Sequence, residues 1–317
     1  MKVIMAAMLT KEFLGDLRAT FPDVEFVEAA TSEVQLAQIG DADAFFGWPS
    51  REVFRAAERL RWLHNPGTGI DRISEVPDIV DSDVVLTNAR GPHAAPMADH
   101  VFSIVLAFAH RSRELWEDQQ AHRWEPRKYD SRIVELGGST MGILALGDIG
   151  RAVARRAYGF GMEVYAVDKR PVERPPEVQE VWGLERLDEL LGLSDWFVVT
   201  APLTEQTRGM IDRRRIGLLK PGSHLIVISR GGIVDEDALV DALRSGRIAG
   251  AGLDVMAEEP LPPDNPLWDL DNVILAPHVS ALTPEMWEGR RKIFKENLRR
   301  FLANEPFLYV CDKSAGF

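Results

Sequence analysis

The sequence predicts an α/β fold of two doubly wound, Rossmann-like domains with parallel sheets and a cleft between them. Three observations carry this expectation. Short runs of Val, Ile, Leu and Phe recur along the whole chain without strict apolar–polar alternation, the pattern of strands buried on both faces. Helix-length segments separate these runs, so strand–helix alternation passes through two successive series. At 317 residues the chain is long enough to bury two sizeable cores.

The first series of expected strands is Val3–Ala6, Glu25–Val27, Ala44–Phe46, Trp62–Asn65 and Val84–Thr87. The pattern breaks at Gly91-Pro92-His93-Ala94-Ala95-Pro96, where two prolines and a glycine interrupt it. An amphipathic stretch from Met97 to about Trp116 then predicts a long helix. Arg123–Gly138 is polar but holds Trp124, Pro126 and Tyr129, and is expected to be an ordered excursion. The second series is Met141–Leu146, Glu163–Val167, Phe197–Ala201, His224–Ile228, Gly250–Leu253 and Val273–Leu275. Thr283-Pro284 follows as a helix start, with a side-chain acceptor at the N-cap and proline at the first helical position. Ile293, Phe294, Leu298, Phe301 and Leu302 give that helix one apolar face, and it is expected to return to the first domain. The expected domains are 1–95 with 286–317, for substrate, and 96–285, for a dinucleotide.

Bulk properties exclude several roles. A formal charge of −12 argues against a nucleic-acid partner, which needs a basic surface to displace phosphate counterions. No apolar run approaches the ~20 residues that span a bilayer, and the start of the chain reads as a buried strand, not a leader. The lone Cys311 allows no intrachain disulfide and fits a reducing compartment, so a cytoplasmic protein is expected. No metal site is expected. An acidic chain that binds an anion must gather positive potential locally.

Met141-Gly142-Ile143-Leu144-Ala145-Leu146-Gly147-Asp148-Ile149-Gly150 is a strand running into a tight turn and then a helix. This is the context in which a dinucleotide fingerprint has meaning: glycine lets the backbone approach a pyrophosphate, and the helix N-terminus supplies N–H groups and a favourable dipole. Gly147, Asp148, Ile149 and Gly150 are therefore candidate cofactor contacts. Ala145 replaces the first glycine of the pattern, where a methyl group is expected to cost some affinity. Asp168 ends the next strand, eighteen residues after Gly150, where it can accept hydrogen bonds from an adenosine ribose. That carboxylate favours NAD, because it repels a 2′-phosphate; Lys169 and Arg170 beside it keep NADP possible.

Three later segments are more specific. They are Ser229-Arg230-Gly231-Gly232-Ile233-Val234-Asp235-Glu236, then Leu253-Asp254-Val255-Met256-Ala257-Glu258-Glu259-Pro260, then Pro277-His278. Arg230 precedes Glu259 by 29 positions, and Glu259 precedes His278 by 19. Here the sequence resembles the D-isomer-specific 2-hydroxyacid dehydrogenase family, with its R-G-x-x-V-D-E, L-D-V-x-x-x-E-P and P-H segments in order. Pro202-Leu203-Thr204 with Thr207 resembles the family's P-L-T-x-x-T loop. Asn65-Pro66-Gly67-Thr68-Gly69-Ile70-Asp71 is similar to its N-terminal substrate loop. The resemblance extends over essentially the whole chain.

It implies reduction of a small 2-oxo acid by NAD(P)H in a homodimer that uses the Met97–Trp116 region. Arg230 is implied to hold the substrate carboxylate and carbonyl oxygen through its rigid fork of donors. His278 is implied to donate the proton to the developing alkoxide, with Glu259 orienting it and keeping that proton available near neutrality. Amides of Gly67, Thr68 and Gly69 are implied to grip the carboxylate, and Trp48 to line the pocket for the substrate side chain. Pro202, Thr207, Ile228, Ser229 and Asp254 are implied on the cofactor side, although Asp254 is equally suited to capping the turn after its strand. Val227 and Thr200 depart from residues many relatives carry, without removing a catalytic group. His224 and His110 lack such partners and are expected to be structural; His93 and His100 near the hinge are expected to be solvent-exposed or locally packed, with a role in the cleft as the alternative. Two other readings share these residues: an NAD(H)-binding corepressor or sensor, and a phosphite dehydrogenase. A compact chain beginning at a strand favours the enzyme.

Overall fold

The computed structural model describes residues 1–7 and 10–316. The chain divides into two compact units, Met1–Pro92 with Thr283–Phe317, and His93–Leu282. The junctions at 92/93 and 282/283 lie three residues before the expected 95/96 and 285/286.

In the first unit, strands β1 (Lys2–Met5), β2 (Glu25–Glu28), β3 (Ala44–Phe46), β4 (Trp62–Asn65) and β5 (Val85–Asn88) form a parallel sheet in the order β2-β1-β3-β4-β5. Helices α1 (Lys11–Thr20), α2 (Ser32–Gln38) and α3 (Arg51–Arg55) connect them. Ile4, Phe45, Leu63 and Leu86 point to one face, with Val53 and Phe54 of α3. Val3, Met5, Phe26, Ala44, Phe46 and Trp62 point to the other, with Phe13, Leu14 and Leu17 of α1. Both faces are covered, which is why the strands read as continuous apolar runs.

The second unit opens with α4 (Ala94–Ala109) and α5 (Ser112–Gln120). The single helix expected from Met97 to Trp116 is thus two, broken where Arg111 adopts a left-handed φ of 56°. The apolar stripe of α4 ends at buried Ala109, and α5 buries only Asp118. That carboxylate accepts hydrogen bonds from Tyr129 Oη (2.6 Å), Lys128 Nζ (2.9 Å) and Arg123 Nε (2.9 Å), donors that order the following excursion. Led by the Tyr129 hydroxyl, they hold Asp118 well below the usual carboxylate range.

Seven parallel strands follow: β6 (Thr140–Leu144), β7 (Glu163–Val167), β8 (Glu180–Trp182), β9 (Trp196–Val199), β10 (His224–Val227), β11 (Gly250–Leu253) and β12 (Val273–Leu275). Their order is β12-β11-β10-β9-β6-β7-β8. The sequence reading missed β8, which is three residues long and pairs only with β7 at the sheet edge. Helix α6 (Asp148–Gly159) covers one face together with α4. Helices α7 (Leu187–Leu193), α8 (Arg213–Leu218) and α9 (Glu236–Arg244) cover the other. The chain leaves β6 toward β7 and β8, then crosses to β9 on the opposite side of β6. The crevice outside the carboxyl ends of β6 and β9 is therefore a topological switch point, where such sheets bind ligands.

The closing helix α10 (Pro284–Ala303) starts as expected, with the Thr283 side chain accepting from the Met286 amide. It returns to the first unit through Phe294 and Leu298, both fully buried. Leu302, expected on the same face, is 48% exposed. Asn297 takes the inward position instead, exchanging hydrogen bonds with the backbone of Leu308 (3.1 and 2.7 Å). Among the described residues, no helix is long and apolar enough to cross a membrane.

Candidate active site

The turn after β6 is held from three sides. Ala145 takes φ +75°, a conformation that suits glycine, so the turn expected of the fingerprint forms despite the methyl group. The Thr200 hydroxyl donates to the Ala145 carbonyl (2.7 Å), and Asp168 Oδ2 accepts from the Leu146 amide (2.8 Å). A Cβ on Gly150 would strike the Ala145 carbonyl oxygen, so this glycine serves close packing of α6 on β6. A Cβ on Gly147 would meet nothing within 4 Å. Gly147 caps α6 without a side-chain acceptor, so no cap side chain occupies the amides of the first turn. Ile149 packs on the α4–α6 side of the core.

Asp168 is 8% exposed, and its second oxygen accepts from the Arg170 amide (2.9 Å). Each carboxylate oxygen keeps a second lone pair for a ribose hydroxyl. Lys169 and Arg170 stand exposed beside it.

The other candidate side chains leave the carboxyl ends of β9 to β12. Thr207 Oγ1 donates to the Pro202 carbonyl (2.7 Å) and accepts from the Thr204 amide (2.8 Å), which closes the loop after β9 on itself. Ile228 is fully buried, and Ser229 is buried with its hydroxyl unpaired. Arg230 Nη1 donates to the Ser229 carbonyl (2.8 Å). A Cβ on Gly231 would overlap the backbone of Met256, so the loop that carries Arg230 lies backbone against backbone on the loop after β11. From that loop, Glu259 reaches both ways. Its Oε1 accepts from the Met256 amide (3.0 Å), and its Oε2 lies 2.9 Å from His278 Nδ1. The Glu259–Pro260 peptide is cis.

His278 adopts φ +55°. Its amide donates to the carbonyls of Asp254 (2.9 Å) and Ala276 (3.0 Å). Asp254, 1% exposed, accepts from the amides of Val279 (2.8 Å) and Ser280 (3.1 Å). Its carboxylate therefore pins the segment that carries His278. His100 Nε2 lies 3.9 Å from the same carboxylate.

Sequence reasoning passed over Glu236. It is the first residue of α9, after the Asp235 cap, and its Oε1 accepts from the Ala257 amide. Burial, together with the Asp237 and Glu259 carboxylates, raises its pKa against the pull of that amide. Only its place in the R-G-x-x-V-D-E segment signalled a role. His224 stacks on Trp196 (4.3 Å between ring centroids), with burial lowering its pKa to about 4.

In the first unit, the loop after β4 is fixed by inward donors. The Gly67, Thr68 and Gly69 carbonyls accept from the Ala89 amide (2.9 Å), Asn88 Nδ2 (2.7 Å) and Asn65 Nδ2 (2.7 Å). In a trans peptide the N–H opposes the carbonyl, so the Thr68 and Gly69 amides point away from the body. The Gly67 amide instead donates to Asn65 Oδ1 (3.1 Å). Trp48 leaves β3 at the same sheet edge, packed against the core, with its Nε1 buried and unpaired. Among the described residues, no group of three His, Cys, Asp or Glu side chains is placed to hold a metal ion.

Residues 102–280 match the family described as D-isomer specific 2-hydroxyacid dehydrogenase, NAD binding domain. The chain belongs to the D-isomer specific 2-hydroxyacid dehydrogenase family. It is 38% identical to a glyoxylate reductase of Thermococcus onnurineus over 318 residues, covering 96% of this chain and 93% of the relative. It is 34% identical to a D-3-phosphoglycerate dehydrogenase of Methanocaldococcus jannaschii over 290 residues, 89% of this chain but 54% of that protein. The structure of an NADPH-dependent glyoxylate/hydroxypyruvate reductase from Sinorhizobium meliloti, in complex with NADP and sulfate, superposes with a TM-score of 0.87 at 27% identity. That match covers 100% of this chain and 99% of the other. The chain is thus an NAD(P)-dependent dehydrogenase of the D-2-hydroxyacid type, and the uncapped amides of α6 at the switch point fit a dinucleotide.

Proposed function

We propose that this dehydrogenase reduces a small anionic 2-oxo acid to the D-2-hydroxy acid, with His278 as proton donor. The observation that most supports the reading is the 2.9 Å contact between His278 Nδ1 and Glu259 Oε2 at the carboxyl edge of a dinucleotide-binding sheet. A carboxylate only accepts hydrogen bonds, so Glu259 keeps the proton on Nδ1 and leaves Nε2 to exchange with substrate. Bound dihydronicotinamide would supply the hydride to the carbonyl carbon. His278 Nε2 gives its proton to the alkoxide oxygen, and in oxidation the neutral ring takes it back. The left-handed backbone of His278 is a small strain held by Asp254, as expected where a side chain must be aimed.

Arg230 binds the carboxylate and polarises the carbonyl oxygen, giving an acidic chain its local positive charge. Thr68 and Gly69 bind the carboxylate through their amides, with Gly67 shaping the loop, and Trp48 lines the side-chain pocket. The turn 147–150 takes the pyrophosphate, Asp168 the ribose, and Pro202, Thr207, Ile228, Ser229 and Asp254 flank the nicotinamide half. Asp168 favours NAD, while exposed Lys169 and Arg170 supply charge for the 2′-phosphate of NADP. A second copy of the chain covers the apolar groups at 115–134, where Trp124 is 93% and Trp116 62% exposed.

The test is a panel of glyoxylate, hydroxypyruvate, bulkier 2-oxo acids and phosphite, each run with both cofactors in the appropriate redox state. Turnover of a 2-oxo acid that collapses in His278→Ala, with NADH binding retained, is the expected result. Tight NADH binding without turnover of any acid would favour a sensor, and full activity in His278→Ala would defeat the assignment.

A further inference from the structure

Helix α10 carries a charge that the proposed chemistry does not use. Arg290 lies four residues after buried Met286 and four before buried Phe294, on the inward stripe of the helix. It is half-buried, with its Nε shielded from water and unpaired. Its guanidinium rests 4.8 Å from the centre of the Trp287 ring. Among the described residues it has no acidic partner, although the chain has 49 acidic side chains. Burial alone pushes its pKa down to about 10.

The packing of α10 places this charge. Phe301 lies over Trp62 and against Arg61 at the start of β4, with Phe307 also over Trp62, whereas Phe294 reaches from Trp62 to His64 near the end of β4 and to Phe46 at the end of β3. The helix therefore runs antiparallel to the strands. One turn further back from Phe294, Arg290 stands beyond the carboxyl end of β4, where the chain turns into residues 66–69. Gly289 agrees with this placement: a Cβ there would strike Pro92, which follows β5 at the same edge. Trp48 leaves β3 at that edge too. A half-buried guanidinium without a counter-charge is costly, and stacking on one ring returns only part of the lost hydration.

We infer that Arg290 binds a second anionic group at the far end of the substrate, so that the substrate class is 2-oxo acids carrying a carboxylate or phosphate beyond the reacting carbon. This rests on the reading that the 66–69 loop takes the carboxylate next to the carbonyl. Trp287 then holds the guanidinium flat for a two-pronged contact with the distal anion.

The experiment measures kcat/KM with NADH or NADPH for glyoxylate and pyruvate, which lack a second anion, and for oxaloacetate, 2-oxoglutarate and 3-phosphohydroxypyruvate, which have one. The wild type is compared with Arg290→Met, of similar size but neutral, and with Arg290→Lys. At least one dianionic acid should exceed glyoxylate tenfold or more, and the phosphate and dicarboxylate arms show which anion is taken. Arg290→Met should lower kcat/KM for that acid by about 10- to 100-fold, mainly through KM, as loss of a charged hydrogen bond does. Its loss on glyoxylate should be at least tenfold smaller, and Arg290→Lys should recover part of the difference. Added salt should weaken the wild type's dianion KM more than its glyoxylate KM, a readout that needs no variant to fold. Glyoxylate as the best substrate, or equal losses on all acids in Arg290→Met, would overturn the inference and leave the reductase reading standing. Absence of turnover with every acid would overturn both.

Discussion

Ala145→Gly should stabilise this protein, although glycine usually weakens a folded chain. Ala145 sits at φ +75° between β6 and α6. An L-residue in the left-handed region costs about 1–2 kcal/mol. Against that relief stand about 0.5–1 kcal/mol for the extra freedom of glycine in the unfolded chain and a few tenths for a half-buried methyl group. The net gain is about 0.5 kcal/mol, which for a unit of the size of His93–Leu282 raises Tm by ~1–2 °C. Differential scanning calorimetry without cofactor is the assay. Ala145→Val, with a branched side chain at the same φ, should lower Tm by more than glycine raises it. A fall in Tm with glycine, or a valine variant as stable as the wild type, would refute the claim that strain is held at this residue. NADH affinity separates a second effect. The turn already has the backbone a glycine would give it, and Thr200 Oγ1 still clamps the Ala145 carbonyl at 2.7 Å. NADH binding by Ala145→Gly should therefore change less than threefold. A tenfold gain would mean that the methyl group itself obstructs the pyrophosphate.

Two further outcomes test other parts of the structure. Asp254→Asn replaces one of two oxygens that accept the Val279 and Ser280 amides, so the His278 segment should loosen: kcat should fall by about 10- to 100-fold, the scale of a charged buried hydrogen bond, and Tm should fall with it. Loss of NADH affinity with an unmoved Tm would mean that Asp254 acts on the cofactor alone and does not hold the His278 segment. Acid should destabilise both units through His64 and His224, whose pKa values burial lowers from 6.5 to about 3 and about 4. The unfolded chain binds these protons first, so stability is lost as pH falls below about 6.5, and at pH 5 each histidine accounts for about 2 kcal/mol. His224→Gln should show a clearly smaller drop in Tm between pH 7.5 and 5; an unchanged drop would show that its burial is not the cause.

What was legible in the sequence follows a physical division. Parallel strands covered on both faces must be apolar throughout, so eleven of the twelve strands among the described residues announced themselves; β8 (Glu180-Val181-Trp182) did not, because it opens on an exposed charge and has no aliphatic run, unlike the equally short edge strand β12 (Val273-Ile274-Leu275). The N-cap and proline of α10 were local signals and held. The break at Arg111 was not legible, because a left-handed residue between two helical stretches leaves their apolar spacing nearly intact. At the candidate site, Arg230, Glu259 and His278 are singled out in the sequence by type, and the structure brings Glu259 and His278 within 2.9 Å of each other. Residues that hold backbone groups did not stand out: Glu236 accepts from the Ala257 amide, while Thr200 donates to the carbonyl of Ala145, Asn65 to that of Gly69 and Asn88 to that of Thr68. A side chain that holds a loop needs one acceptor or donor at one place, and many residue types supply that, so its presence leaves no signature in spacing.

Two of the motif's own carboxylates show why this matters for function. The sequence suits Asp168 to a ribose and Asp254 to a nicotinamide or a cap, and in the structure both oxygens of each accept from backbone amides. A carboxylate has about four acceptor sites, so two amides leave room for a ligand but fix where it can approach. Asp168 locks the Ala145–Gly147 turn and the start of the basic pair in one stroke, and Asp254 aims the strained His278 backbone. Each acid, proposed above as a cofactor contact, thereby also sets the geometry of its neighbours. Replacing either one should move binding and loop order together, whereas replacing His278, the proposed proton donor, should lower turnover with NADH binding retained.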